Sequence, residues 1–564
     1  MAPVYSDLKV HLRPDRSITQ FMLENVCNTD PEKVICEDTL TEKQTTYGGI
    51  RGEAFRVANE LRNSYGLEQN DIVSIISRSC VDYILATHAI WAAGGIVSTI
   101  NHSNTAEELA FAIKVVKPKL FIVDFVAKKK LDEAIRLSGK KYESSKIITL
   151  LRRTQGDPLF PDDFLRQTTR ISPNAYVLDG QDARKRCAAI VLSSGTSGLP
   201  KAVMLSHHNL IAICEMLRYH NMDNWRGDMR EVFFPVSGTP LKLSKGNIVD
   251  VPADLRSSLY HIFTDFISYI LPQVSKLTIS IGLELLQDKR ATLARLVPTV
   301  ALALSESPIV TKYKYPDLEY FSCAGAVLKP NVAAKLREKF PRVALCQTYG
   351  CTETSSCISQ SGVRDEGAPL VATGTLLANI GIRFLDDQLQ DVPIGQPGEI
   401  CVSTPTIMMG YKDNEAATRE SMLAPGWYRT GDVGYLDQNG YLIIVDRIKD
   451  VIKYKGFQVS PSELEEIIGQ HPLVQDVGVT STWDDSEATE LPRAFVVPTT
   501  NVRLDDHARL ANEIQNLVAG KAAGYKKLRG GVKLVNSLPR NPTGKLLRRQ
   551  LGSLDDRGKL RAKI

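Results

Sequence analysis

The sequence predicts an α/β protein with a large N-terminal domain of mostly parallel sheets, then a small β-rich unit and a small α+β module at the C-terminus. Three observations support this prediction. Short β-branched runs alternate with helical apolar spacing early in the chain, short strands with Gly/Pro turns occupy 381–402, and the patterning restarts after Arg447. Strands that alternate with helices favour parallel pairing, because each helix returns the chain to the start of the next strand.

The early elements follow one another in a regular order. Apolar residues at helical spacing predict helices over 47–65 and 81–93. Short apolar runs predict buried strands at 71–76, 95–100, 119–124, 146–151 and 231–235. The segment 237–258 has no clear period, and we interpret it as an insertion or an irregular loop.

Composition narrows the class of protein. The 564 residues suggest three or four folding units, at roughly 150 residues per domain. The net charge of +5 is spread along the chain without a basic face interleaved with aromatics, which argues against nucleic acid as a partner. The ten cysteines form no C-x-x-C pair, so they predict a reduced intracellular protein and no zinc site. Charges and a proline interrupt the apolar stretch 259–286, so no membrane span is predicted, and no signal peptide is apparent.

The strongest motif is Val-Leu-Ser-Ser-Gly-Thr-Ser-Gly-Leu-Pro-Lys at 191–201. A β-branched strand runs into a turn of glycines and hydroxyl residues that ends in a lysine. Glycines let backbone N–H groups approach phosphate oxygens, and the lysine adds positive charge. Ala202 follows the lysine where a Walker A loop has Ser or Thr, and a flexible Gly/Ser loop is the alternative interpretation. The candidate phosphate-binding residues are Ser193, Ser194, Gly195, Thr196, Ser197, Gly198 and Lys201.

Two later motifs carry groups suited to the rest of a nucleotide. Gln-Thr-Tyr-Gly-Cys-Thr-Glu-Thr at 347–354 offers Tyr349 as a stacking face, Thr352 as a hydroxyl and Glu353 as a hard oxygen ligand for Mg²⁺. The motif at 427–432 ends in Asp432, whose carboxylate can accept two hydrogen bonds from vicinal hydroxyls. A Gly-Asp pair more commonly forms an Asx turn, which remains the alternative for Asp432.

The segment 193–201 resembles the phosphate loop of the adenylate-forming superfamily, which includes acyl-CoA synthetases, 4-coumarate:CoA ligases, firefly-type luciferases and peptide-synthetase adenylation domains. Four further motifs match in order, at 347–354, 427–432, 445–458 and 539–549. The resemblance implies a multi-layer N-terminal domain with a small β-barrel-like unit and a mobile C-terminal domain. The predicted boundaries are an adenylation domain over 1–446, divided into 1–185, 186–375 and 376–446, and a lid domain over 447–564.

The resemblance also implies ATP, Mg²⁺ and coenzyme A as cofactors and a carboxylic acid as substrate. In the family, residues matching Tyr349, Thr352 and Glu353 stack on adenine, contact the α-phosphate and hold Mg²⁺. Residues matching Asp432 and Arg447 bind the ribose. The resemblance implies three catalytic residues, which are Thr196, Glu353 and the lysine of the last motif, Lys545.

The last two motifs resemble the family's moving parts. The motif 445–458 matches a domain hinge at Lys449, followed by adenylate contacts from Lys453 and Gln458 and by Gly456, which faces the active site during thioester formation. A solvated amphipathic turn is the alternative for this charged stretch. The motif 539–549 matches the loop of the mobile catalytic lysine, which is Lys545 here.

The resemblance is weakest at the acid pocket. Ala324, Gly325 and Ala326 match a pocket segment, and with Gly350 and Cys351 these small residues leave room for an acyl group. His261 is the nearest match to the histidine of the family's Pro-x-Phe-His-x-x-Gly segment. It is displaced by 237–258, and Thr264 and Asp265 occupy the place of the expected glycine.

The predicted function is ATP-dependent activation of a carboxylic acid to its adenylate, followed by transfer to coenzyme A. Alternatives are a luciferase-like monooxygenase and a catalytically impaired protein that binds acyl groups or nucleotides; a peptide-synthetase module is disfavoured because no carrier segment follows. The tripeptide Ala-Lys-Ile at 562–564 resembles a peroxisomal address. It predicts an import receptor as a partner and peroxisomal localisation, or otherwise a cytoplasmic one. The combination suggests a fungal enzyme of secondary-metabolite biosynthesis.

Overall fold

A computed structural model of the chain describes residues 3–25, 28–38, 43–78, 80–143, 146–154, 156–167, 181–193, 200–221, 230–233, 247–250, 276–326, 328–362, 368–455, 457–485, 487, 489–499, 502–540 and 546–554. Among these residues, no helix has both the length and the apolar character required to cross a bilayer.

The strands are, in chain order, β1 Val4–Tyr5, β2 Val34–Asp38, β3 Gln44–Thr46, β4 Ile72–Ile76, β5 Ile96–Thr99, β6 Leu120–Asp124, β7 Ile147–Leu150, β8 Leu159–Phe160, β9 Cys187–Ser193, β10 Lys201–Ser206, β11 Arg230–Phe233, β12 Asn247–Asp250, β13 Leu293–Leu296, β14 Tyr320–Cys323, β15 Ala344–Tyr349, β16 Ser359–Gln360, β17 Thr375–Leu376, β18 Gly381–Leu385, β19 Gly398–Ser403, β20 Gly410–Tyr411, β21 Met422–Ala424, β22 Trp427–Leu436, β23 Leu442–Arg447, β24 Ile452–Tyr454, β25 Phe457–Val459, β26 Val474–Asp484, β27 Thr489–Pro498 and β28 Val532–Leu534.

The α-helices are α1 Ile18–Leu23, α2 Tyr47–Asn63, α3 Val81–Ala92, α4 Ala106–Val116, α5 Phe125–Ser138, α6 Asp162–Gln167, α7 His207–His220, α8 Lys276–Asp288, α9 Pro298–Glu306, α10 Pro330–Lys339, α11 Glu415–Glu420, α12 Pro461–Gly469, α13 His507–Lys521 and α14 Arg548–Leu551.

The first sheet has eight strands in the order β20-β10-β9-β5-β4-β6-β7-β8. The strands from β9 to β8 pair in parallel, as the alternation of helices and strands predicts. In β6, Leu120 and Ile122 pack into one apolar cluster with α2 and α3, whereas Phe121 and Val123 pack into another with α4 and α5. Helices therefore cover both faces, which explains why these strands are apolar throughout and do not alternate.

The helices predicted at 47–65 and 81–93 are confirmed, although the first ends two residues earlier than predicted and the second one residue earlier. The strands predicted at 71–76, 95–100, 119–124 and 146–151 are confirmed to within one residue at each end.

The second sheet has nine strands in the order β17-β16-β15-β14-β13-β11-β12-β2-β3. Its four central strands, β15, β14, β13 and β11, pair in parallel with one another, and its remaining strand pairs are antiparallel. The interpretation of 237–258 as an irregular loop is wrong for Asn247–Asp250, because these residues form β12 and link β11 to β2. Residues 237–246 and 251–258 lie outside the described residues.

The third sheet is a small antiparallel unit, as the short strands and Gly/Pro turns after 381 predict. Its order is β1-β18-β19-β22-β21, and β23 pairs with β22. The three sheets do not follow the subdivision at 185 and 375. β2 and β3 join the second sheet and β9 and β10 join the first, so each sheet contains strands from both sides of residue 185.

Beyond β23 the chain has its own apolar core, and we call residues 452–554 the C-terminal module. The strands β26 and β27 form a long antiparallel pair, and β28 adds to β27 in parallel. The helices α12 and α13 pack on them through buried residues that include Leu464, Ile468, Leu510, Ile514 and Val518. This α+β module agrees with the restart of patterning after Arg447.

Candidate active site

The stem of the predicted phosphate loop is the antiparallel pair of β9 and β10. Ser193 and Lys201 are direct partners in its register, so the two ends of the loop lie side by side. The Ser193 hydroxyl is buried and has no hydrogen-bond partner among the described residues. Residues 194–199, with Ser194, Gly195, Thr196, Ser197 and Gly198, lie outside the described residues, so their predicted contacts with phosphate stay predictions.

Glu353 lies in a single 3-10 turn, Thr352–Thr354, which follows the end of β15. Its side chain accepts a hydrogen bond from the hydroxyl of Tyr411, with Oη 3.0 Å from Oε1. The ring of Tyr411 also faces Lys201, whose Nζ lies 4.7 Å from the ring centroid. The structure therefore places the predicted metal ligand and the predicted phosphate lysine around one tyrosine.

The sequence motifs did not predict a role for Tyr411. The pair Gly410-Tyr411 forms the short strand β20, and no motif of the five includes it. Its importance depends on pairing between β20 and β10, which lie about two hundred positions apart in the chain. The available signal was an aromatic residue next to a glycine at the end of an apolar run, which is common in unrelated turns.

Asp432 forms a second cluster with Tyr349 and Arg447. The hydroxyl of Tyr349 donates to Oδ2 of Asp432 at 2.8 Å, and Nε of Arg447 lies 2.9 Å from Oδ1. Burial, and then the Asp432 carboxylate, raise the pKa of Tyr349. Burial lowers the pKa of Arg447, but the Asp432 carboxylate and the other acidic groups around it, Asp450 among them, together outweigh burial, and the pKa is raised. The phenol is thus a neutral donor and the guanidinium a cation at neutral pH.

The predicted acyl-pocket residues follow two neighbouring parallel strands. Ala324, Gly325 and Ala326 follow β14, and Gly350 and Cys351 follow β15, so both turns leave the same edge of the sheet. Gly350 is required there, because a Cβ atom would lie 1.5 Å from the carbonyl oxygen of Ser356. Burial raises the pKa of Cys351, whose sulfur lies 3.4 Å from Oγ1 of Thr354. The thiol of Cys351 is therefore neutral at neutral pH, and the role of these residues in an acyl pocket stays a prediction.

The remaining predicted residues are exposed or undescribed. Lys449 and Lys453 are solvent-exposed, and the backbone N–H of Lys453 donates to Oε2 of Glu490 at 2.7 Å. Neither side chain lies in the clusters of Glu353 or Asp432. The structure does not describe His261, Gly456, the Gln458 side chain or Lys545. The ends of segment 541–545 are adjacent, because Arg540 and Leu546 form a β-bridge.

The side chains around Glu353 fit a magnesium ion that is held mainly by the phosphates of the substrate. Among the described residues, no three His, Cys, Asp or Glu side chains come together as a metal site. Mg²⁺ is commonly bound through one or two carboxylates together with substrate phosphates and water. Glu353 is nine-tenths buried, and Tyr411 engages its Oε1. Its second oxygen has no hydrogen bond within the described part of the chain, so Glu353 suits the role of the single protein ligand.

The fold is that of the AMP-binding enzymes. The chain belongs to the AMP-binding enzymes of the adenylate-forming superfamily: residues 23–412 match the AMP-binding enzyme family, and residues 463–545 match its C-terminal domain.

Particular relatives are similar over almost the whole length. A probable 4-coumarate–CoA ligase 3 of Dictyostelium discoideum is 30% identical over 95% of each chain. The 4-coumarate–CoA ligase-like 9 of Oryza sativa subsp. japonica is 31% identical over 95% of this chain and 92% of its own. The crystal structure of the anthranilate CoA ligase AuaEII with anthranoyl-AMP has a TM-score of 0.78 at 20% identity, over 96% of this chain and 98% of the other, and shows the shared fold.

Proposed function

We propose that this protein is an AMP-forming acid–thiol ligase, which activates a carboxylic acid with ATP and transfers the acyl group to coenzyme A. The observation that carries the proposal is the placement of Lys201, Tyr411 and Glu353 in one cluster and Tyr349, Asp432 and Arg447 in another. The first suits the phosphates of ATP, and the second suits its ribose and base. The similarity to relatives described as CoA ligases supports the second half of the reaction.

In the first half-reaction, a carboxylate oxygen of the acid attacks the α-phosphorus of ATP and pyrophosphate leaves. An anion approaches a polyanion in this step, so positive charge and hydrogen-bond donors lower its barrier. Lys201 supplies one such charge, and the amides and hydroxyls of the loop after Ser193 supply donors. Glu353 would hold Mg²⁺, which would neutralise phosphate charge. Asp432 and Arg447 keep the ribose in place.

In the second half-reaction, the sulfur of coenzyme A attacks the acyl carbon of the adenylate and AMP leaves. Thiolate is the nucleophile, so the thiol proton must be lost to solvent or to a base. The turns at Ala324–Ala326 and Gly350–Cys351 bound the acyl pocket. We propose that Lys545 serves the first half-reaction and that Gly456 allows the thiol to approach in the second, as the family resemblance implies.

Pyrophosphate release, screened over aromatic and aliphatic acids with ATP and Mg²⁺, tests the proposal. Hydroxycinnamic and aminobenzoic acids come first, because similar proteins are described as 4-coumarate and anthranilate ligases. Mass analysis of the product with coenzyme A should then find the acyl thioester. Release of pyrophosphate without thioester formation would contradict the ligase and leave an adenylating enzyme; no release with any acid would favour a binding protein.

A luciferase-like oxygenase is the second candidate, because a luciferin 4-monooxygenase of Photuris pensylvanica is 29% identical over 92% of each chain. Light emission with luciferin, ATP and oxygen distinguishes it from the ligase.

Peroxisomal import, based on residues 562–564, is a separate proposal. Binding of a peptide with these residues at its C-terminus to a peroxisomal import receptor tests it, and a role in secondary metabolism depends on the acid that is found.

A further inference from the structure

Tyr411 contacts two groups that belong to different sheets. Its hydroxyl donates to Oε1 of Glu353, which follows β15 of the nine-stranded sheet. Its ring lies against the ammonium of Lys201, which begins β10 of the eight-stranded sheet. Tyr411 is 6% exposed, so both contacts are sheltered from water and strengthened by the low local polarity.

Strand pairing explains the contact with Lys201. Val203 and Tyr411 are direct partners in the antiparallel pair of β10 and β20. Lys201 is two residues before Val203, so it lies on the same face of β10 and diagonal to Tyr411. Diagonal neighbours are within reach of aromatic and long side chains. The cation over the ring is therefore a consequence of the register.

Backbone hydrogen bonds fix this register and also bring Glu353 to it. Met409 N donates to the carbonyl of Met204 at 2.8 Å, and Lys412 N donates to that of Ala202 at 2.8 Å. Next to them, Met408 N donates to the carbonyl of Glu353 at 2.8 Å. The segment Met408–Lys412 thus holds Glu353 by both its backbone and its side chain.

We propose that Tyr411 is a positioning residue for adenylation: its hydroxyl fixes the Glu353 carboxylate so that the second oxygen is available to Mg²⁺, and its ring supports Lys201 beside the phosphates. This inference rests on the proposed function. A carboxylate only accepts hydrogen bonds, so the tyrosine hydroxyl must donate. Without this donor the carboxylate can rotate, and its geometry for a metal ligand is lost.

The test uses Tyr411→Phe, which removes the hydroxyl and keeps the ring over Lys201. Binding of α,β-methylene-ATP, which cannot be adenylated, is measured by calorimetry on the full chain with Mg²⁺ and again with EDTA. Loss of a partner that orients a metal ligand typically weakens metal affinity or activity 10–100-fold. We therefore expect Tyr411→Phe to weaken binding with Mg²⁺ by about tenfold or more, and to leave binding in EDTA unchanged.

Tyr315→Phe is the matched control. The Tyr315 hydroxyl donates to the carbonyl of Val310 at 3.0 Å, away from the candidate site, so its loss should leave binding unchanged in both conditions. A general loss of structure in Tyr411→Phe would weaken binding in EDTA as well. That result, or equal binding by Tyr411→Phe and the parent with Mg²⁺, would overturn the proposal and leave Tyr411 as a packing residue.

A double-mutant cycle shows whether Tyr411 acts through Glu353. Glu353→Gln alone should reduce the advantage that Mg²⁺ gives to binding, and adding Tyr411→Phe should change it no further. Additive effects of the two substitutions would contradict the proposal. If the parent binds the analogue equally with and without Mg²⁺, the metal role of Glu353 fails together with the proposal. If the parent does not bind the analogue at all, the proposed function itself is wrong.

Discussion

Arg447 and Asp432 are direct partners on the antiparallel strands β22 and β23, with Nε of Arg447 2.9 Å from Oδ1 of Asp432. Tyr349 engages the other carboxylate oxygen of Asp432. Asp432 is 5% exposed, so these two partners replace the water that its carboxylate would otherwise contact. A ribose that hydrogen-bonds to Asp432 must share the carboxylate with them, and the cluster already holds the carboxylate in one orientation.

The first prediction concerns recognition of the ribose. Asp432→Asn keeps the shape of the side chain but removes the charge, and hydrogen bonds to charged groups contribute about 1.5–3 kcal/mol. We expect about 10–100-fold weaker use of ATP in pyrophosphate exchange. The parent should also prefer ATP to 2′,3′-dideoxy-ATP, and Asp432→Asn should lose most of this preference.

Asp391→Asn is the control for this substitution. Asp391 pairs with Arg383 at 2.8 Å in the same antiparallel sheet, but it lies outside the cluster of Asp432. It should retain the preference for ATP. An Asp432→Asn protein that discriminates between the two nucleotides as well as the parent does would show that Asp432 serves the structure of the strand pair and not the ribose.

The second prediction separates the half-reactions. Lys545→Ala should lose pyrophosphate exchange by about 10²–10³, because one stabiliser of developing charge is removed. Supplied with synthetic acyl-adenylate and coenzyme A, it should form thioester at nearly the parent rate. Gly456→Leu should show the opposite pattern, since a side chain narrows the approach of the thiol. Equal failure of both variants in both assays would contradict a lid that serves the two steps in turn.

The third prediction is a loss of stability in mild acid. Burial lowers the pKa of His88 to about 4, whereas an unfolded histidine titrates near 6.5. As the pH falls below 6.5, the unfolded chain therefore binds the proton first, and stability falls until the pH reaches about 4. Between pH 7.5 and 5, this one residue should lower the free energy of unfolding by about 2 kcal/mol.

Guanidinium denaturation at the two pH values checks this prediction. His88→Gln is neutral at both, so its stability should change less between them than that of the parent. His11→Gln removes an exposed histidine and should follow the parent. Identical pH dependence in parent and His88→Gln would show that His88 is not held neutral by its surroundings.

Much of the first sheet was predictable because each element is defined locally. β4, β6 and β7 are short apolar runs, and α2 and α3 have helical spacing over many residues. β12 was not predictable, because Asn247–Asp250 carries no periodic pattern and pairs with β2, about two hundred residues earlier. Pairing between distant segments also limited what could be predicted of the candidate active site. Glu353 and Asp432 stand in recognisable motifs, but Tyr411 gains its role only from the pairing of β20 with β10.

The last prediction concerns contacts between the C-terminal module and the preceding sheets. Lys329, at the start of α10, donates to the carbonyl of Val477 at 3.3 Å, and its Nζ lies 3.7 Å from Oδ1 of Asp476. Asp476 also binds Arg540 at 2.6 Å, and Arg540 directly precedes the segment 541–545 with Lys545. Asn331 adds a hydrogen bond to the carbonyl of Gly469 at 3.3 Å. Asp476 thus connects Lys329 of the N-terminal part of the chain to Arg540, the residue just before the segment 541–545.

We expect Lys329→Met to loosen this attachment. Partly exposed ion pairs contribute about 0.2–1 kcal/mol, so the detached population should rise by a factor of roughly 1.4 to 5. Proteolysis tracks the population of an open form when opening is fast, so cleavage near 447–458, around the predicted hinge at Lys449, should accelerate by the same factor. A non-hydrolysable adenylate analogue should alter the rate for both proteins.

Lys335→Met is the matched control, because Lys335 lies on the same helix with its Nζ also 3.7 Å from a carboxylate, that of Glu306 on α9. Its loss should not change cleavage near 447–458, since neither residue belongs to the C-terminal module. Equal acceleration by the two variants would attribute the effect to a weakened α10. No acceleration by Lys329→Met would show that the contact of Lys329 with Asp476 does not hold the module in place.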